Sequence, residues 1–202
     1  MIELERKLQQ MHQALSSVVS PNLTSIQPEM SISDNHVFVS LDFNKGSDPI
    51  TLYNAASLLI ANIASLKDYL KVWCKRNNAT FEGDNLINNN KPVALIHDLW
   101  NTDKHAELNS PPRSGYKPKL GDVQTALRIS TGTTKGSGVR LYLNPKTGIF
   151  ESTSTGGGKI NLVLDAQILD EFSKPIADFA QTCEDAVDAW LTTLVAAGVI
   201  IQ

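Results

Sequence analysis

At 202 residues, 42% hydrophobic and 19% charged, the chain has the make-up of a globular protein able to bury its own core. Disordered, fibrous and disulfide-stapled classes are excluded. The formal net charge is −3, unevenly spread: residues 104–159 carry 9 basic and 3 acidic side chains, whereas residues 160–202 carry 1 and 7. A basic middle third of this kind marks a polyanion-facing surface or a region matched by acidic groups packed against it, and matching within the fold is the commoner arrangement.

The first residues carry Glu3, Glu5, Arg6 and Lys7 and lack the apolar run of a secretory signal, so a soluble, cytoplasmic protein is expected. Leu4, Leu8, Met11, Leu15 and Val18 recur at helical spacing over residues 2–18, ahead of Pro21. Residues 36–43 then alternate, with Val37, Val39, Leu41 and Phe43 on one face, which predicts a half-buried strand that Met30 and Ile32 extend upstream.

Asp48-Pro49 pairs an N-cap acceptor with a proline at the first helical position. The helix predicted from there to about residue 76 is apolar around much of its circumference. Asn54, Asn62, Lys67 and Asp68 interrupt it, which reads as a central buried helix and not a membrane span. Asn77-Asn78 ends it, residues 85–90 read as a polar loop, and Pro92 opens a helix over residues 93–108 closed by Pro111-Pro112.

From Val123 onward the periodicity changes from helical to two-residue. Residues 123–130, 139–143, 149–153 and 159–164 predict four strands joined by Gly-rich turns, an antiparallel meander. Asp165 is the expected cap of a closing helix in which Leu169, Phe172, Ile176, Phe179, Cys183, Val187, Trp190 and Leu194 form the apolar stripe. The expected fold is α+β, mainly a bundle of about four helices with a small antiparallel meander before the last. It forms one domain over 1–202, or splits into a helical part, 1–112, and a β-meander with closing helix, 113–202.

Several motifs fail on chemistry. Gly156-Gly-Gly-Lys159 is followed by Ile160 where a phosphate loop needs Ser or Thr to reach magnesium, and strands flank it on both sides. No Gly-x-Ser-x-Gly elbow occurs. Cys74 and Cys183 lack the spacing of a metal knuckle and read as reduced core thiols. The histidines stand at positions 12, 36, 97 and 105, and His97 and His105 are eight residues apart, too far for the usual helical chelate. No metal and no cofactor is indicated.

The 93–108 helix carries the chemistry that remains. Asp98, Asn101 and His105 stand at i, i+3 and i+7, within about 60° of one another, and form a polar stripe. Leu95, Leu99 and Ala106 make the opposite, core face; His97 and Lys104 flank the stripe and Asp103 points elsewhere. Trp100 beside the stripe implies that part of this side is covered. An aspartate paired with His105 would orient the imidazole and raise its pKa; a hydrogen-bonded network joining helices is the alternative use of the same residues.

Leu99-Trp-Asn101-Thr-Asp103-Lys104-His105 resembles a motif helix found in a broad set of uncharacterised prokaryotic proteins, and is similar in turn to the HEPN superfamily of toxin, defence and RNA-processing proteins. Asn101 and His105 match that family's polar residue and histidine, while Trp100 stands where its arginine belongs. The resemblance implies metal-independent RNA binding or cleavage, with His105 as acid/base and Asn101 beside it. Outside the family pattern, Asp98 would help to orient the ring, Lys104 by position or Arg113 from the following loop would stand in for the missing arginine at the phosphate, and His97 is a further candidate to face substrate. The resemblance also implies a homodimer. The alternative is a non-catalytic, partner-binding or scaffolding helical protein in which Asp98, Asn101 and His105 lock helices together.

Overall fold

The computed structural model describes residues 2–18, 29–33, 36–40, 48–105 and 111–199. It is an α+β fold in which five helices combine with small antiparallel sheets. The first helix, α1 (Ile2–Val18), buries Leu4, Leu8 and Met11 of the predicted stripe against α2 (Pro49–Asn77); the side chains of Leu15 and Val18 lie outside those described. Between them, β1 (Glu29–Ser33) and β2 (His36–Ser40) pair antiparallel, so Met30 and Ile32 do not extend the second strand upstream but lie on one of their own, opposite Val39 and Val37. The predicted continuation through Leu41 and Phe43 lies outside the described residues.

Helix α2 begins as its sequence requires, the Asp48 carboxylate accepting from the Ile50 and Thr51 N–H groups. It ends at Asn78, whose φ of 52° is the left-handed cap that asparagine tolerates. Among the described residues, α2 alone has the length and apolar character to cross a membrane. Its buried positions, including Ala56, Leu59, Ile63, Leu66 and Leu70, join a core shared with α1, α4 (Lys91–Lys104) and α5 (Phe179–Ala196).

Further expectations are corrected. Residues 85–90 are not a loop: α3 (Gly83–Asn89) occupies them, because full burial of Ile87 outweighs the poor helix propensity of the asparagines, and Asn90 caps α4 by accepting from the Val93 N–H. Five helices are therefore present among the described residues, against about four expected.

The closing helix does not start at Asp165. Residues 165–178 instead finish strand β7 (Lys159–Asp165) and form β8 (Gln167–Leu169) and β9 (Pro175–Asp178), with β3 (Lys119–Leu120) completing a sheet of order β3-β8-β9. The apparent stripe of Leu169, Phe172 and Ile176 is broken by a turn. Asp170 Oδ1 accepts from the Phe172 and Lys174 N–H groups at 2.9 Å each, Ser173 takes φ 64°, and Phe172 is left 84% exposed. Asp178 is the true cap of α5.

The strands of 123–164 do not form a meander. β4 (Gln124–Ser130) pairs with β7 over seven residue pairs, and β5 (Gly138–Leu143) pairs with β6 (Phe150–Thr155) between them, so one hairpin is nested within another. The two Gly-rich segments read as successive turns face one another as a break in a single long ribbon. There the Thr134 hydroxyl donates to the Gly156 carbonyl and the Thr155 hydroxyl to the Gly136 carbonyl. Leu164, Ala166 and Ile168 anchor the base of the ribbon in the core, whereas no residue of β5 or β6 belongs to that core.

Candidate functional site

The first half of α4 is buried nearly all round, with Val93, Ala94, Leu95, Ile96 and Leu99 almost wholly covered. Asp98 lies among them, only 2% exposed. An ionised carboxylate at such a place needs donors. The Ser114 backbone N–H and the Ser114 hydroxyl both donate to Asp98 Oδ2, at 2.7 Å each.

On the next turn the Asn101 amide contacts His97 Nδ1 at 3.0 Å. With Asn101 Nδ2 as the donor, His97 Nδ1 is the acceptor and the ring proton sits on Nε2. His97 Nδ1 lies 4.0 Å from Asp98 Oδ1, a close approach beyond hydrogen-bond range. Burial would raise the Asp98 pKa, but the two donors of Ser114 and the Arg113 backbone N–H hold it below the usual carboxylate value.

The predicted stripe therefore divides. Asp98 and Asn101 do converge with a histidine, but that histidine is His97. His105 is the residue after the helix; its N–H closes the last turn on the Asn101 carbonyl, and its backbone turns to φ −127°, ψ 126°, so its exposed side chain no longer follows the helical stripe. The helix predicted to run to 108 ends instead at Lys104, and residue 106, assigned to the core face, lies outside the described residues.

The cationic residues are engaged elsewhere. Arg113 Nη1 is 3.2 Å from Asp84 Oδ1, which also accepts from Lys67 at 2.8 Å. The Lys67 bond, reinforced by Arg113, holds the Asp84 pKa down despite its partial burial. Lys104 Nζ sits 5.0 Å above the Trp100 ring, and His97 meets the same indole edge-on at 6.3 Å between centroids. Trp100 is thus partly covered, as its position beside the stripe implied.

Sequence reasoning missed Ser114, the principal partner of Asp98. Its signal was indirect, a small hydroxyl residue next to Gly115 in the segment after Pro111-Pro112. Among the described residues, no three His, Cys, Asp or Glu side chains group as a metal set. Compared with protein-family models, curated proteins and solved structures, the chain matches none.

Proposed function

We propose that the protein is a non-catalytic binding and scaffolding module, built on a bundle of α1, α2, α4 and α5, in which the Asp98, His97 and Asn101 network serves structure. The observation that carries this reading is the sealing of Asp98: both donors of Ser114 occupy one carboxylate oxygen, tying the chain after α4 back onto the helix. A carboxylate so buried has no open face for a reacting group. Incubation of the purified protein with single-stranded RNA in chelator tests it. No cleavage is expected, with Asp98→Ala lowering the melting temperature and His105→Ala leaving it unchanged; metal-free cleavage abolished by His105→Ala would overturn it.

A second reading, a HEPN-like, cytoplasmic RNA-directed protein acting as a homodimer, is favoured by one observation. His105 and Lys104 are exposed together at the end of α4, where a general acid/base and a phosphate-attracting cation would both be open to RNA. Loss of RNA binding in Lys104→Gln, with the fold intact, would support it.

A further inference from the structure

We propose that the outer half of the β4–β7 ribbon, the β5–β6 hairpin with its flanking Gly-rich break, is an arm that binds duplex DNA through the major groove and its bordering phosphates. Three observations converge on it. The first is that the arm does no work in the core, since β5 and β6 contribute no residue to the buried cluster that the base of the ribbon joins.

The second is charge. The base of the ribbon is neutralised, because Arg128 lies 3.3 Å from Asp178 and 2.9 Å from Glu184. Beyond it Lys135, Arg140, Lys146 and Lys159 are all exposed, and none forms an ion pair among the described residues. The single acidic residue between positions 131 and 159, Glu151, has both oxygens occupied within the arm: Asn144 Nδ2 donates to one at 2.6 Å and the Tyr142 hydroxyl to the other at 2.8 Å. The arm thus carries four of the nine basic side chains of the middle third against a single carboxylate.

The third is shape and surface chemistry. Register pairs Arg140 with Thr153 and Tyr142 with Glu151, so Arg140 and Thr153 share one exposed face of the hairpin. Ser152, Ser154 and Thr155 are also exposed, and hydroxyl side chains beside Arg and Lys are the groups that hold phosphates. A six-residue strand pair reaches about 20 Å, and a two-stranded ribbon fits the roughly 12 Å wide major groove of B-form DNA. The deep, narrow major groove of duplex RNA does not admit it. This assignment stands whether or not His105 acts on RNA.

Fluorescence anisotropy with a labelled DNA duplex of about 20 base pairs tests it. If the four cations each meet a phosphate, the logarithm of the binding constant falls with log salt at a slope of about −3.6, an approximately 150-fold loss between about 50 and 200 mM. Combined Lys135→Gln, Arg140→Gln, Lys146→Gln and Lys159→Gln should weaken binding about 100-fold at the lower salt, while Lys71→Gln with Lys75→Gln, both exposed on the outer side of α2, changes nothing. Arg140→Gln and Lys146→Gln alone should each flatten the slope by about one, which keeps the test decisive should the combined variant misfold. Absence of duplex binding at about 50 mM salt, equal binding by the folded arm variants, or tighter binding to duplex RNA or to single strands would overturn it.

Discussion

The Ser114 backbone N–H and hydroxyl donate to the same oxygen of Asp98, so one buried carboxylate fixes two groups of a residue sixteen positions along the chain. Removing the carboxylate strands both donors. Asp98→Ala should cost on the order of 1–3 kcal/mol per donor left unsatisfied, whereas Ser114→Ala, which keeps the N–H bond, should cost about 1 kcal/mol. Urea unfolding of the two single variants and the double variant checks this: the double should cost clearly less than the two singles together, and strict additivity would contradict the shared site.

The same carboxylate sets an acid limit. Its pKa is below the ordinary value in the folded state, so the unfolded chain takes up the proton first as pH falls. The contribution is complete above the unfolded pKa of about 3.9 and is lost progressively below it, towards the folded value. The difference in urea midpoint between the parent and Asp98→Asn should be constant from about pH 7 to 5 and shrink below about pH 4. A difference independent of pH through that range would refute the assignment.

Asp178 caps α5 by accepting from the Gln181 N–H at 2.7 Å and also holds Arg128. Asp178→Ala should therefore lose the cap, about 1 kcal/mol, while Arg128→Ala keeps it and costs less, since exposed ion pairs contribute little. Thermal unfolding ranks the two; equal losses would mean that the pair and not the cap is what Asp178 supplies.

Gly158 is buried against the Gly138 backbone, and a side-chain carbon there would run into the Gly138 carbonyl oxygen. Gly158→Ala should force the break in the ribbon apart. Hydrogen exchange should quicken across β5 and β6 while α2 and α4 keep their protection; unchanged exchange in the hairpin would show that the break absorbs the methyl without moving.

What the sequence made legible was whatever rested on local chemistry. Asp48-Pro49 announced α2, and Asn77-Asn78 ended it, because caps are decided within a few residues. Leu4, Leu8 and Met11 likewise gave the face of α1. Where long-range pairing decided the outcome, local reading failed: the strand segments were seen, but nothing local says that β4 partners β7 across an intervening hairpin. The spacing of Leu169, Phe172 and Ile176 imitated a helix until the Asp170 turn claimed the backbone. At the site, the angular argument extended an ideal helix through His105, one residue past its end, and so set His105 in the stripe with Asp98 and Asn101, whereas His97, placed only beside the stripe, is the ring that Asn101 meets.

Cys74 and Cys183 are both buried and free. Burial raises the Cys74 thiol pKa; for Cys183, burial first and the nearby Glu184 and Asp178 charges second push it far up. Neither sulfur meets a reagent as a thiolate while the core is shut, since the thiolate is the reactive form. The rate of alkylation at each position is then a clock for the opening of its helix, one on α2 and one on α5, and the native chain carries its own pair of breathing gauges.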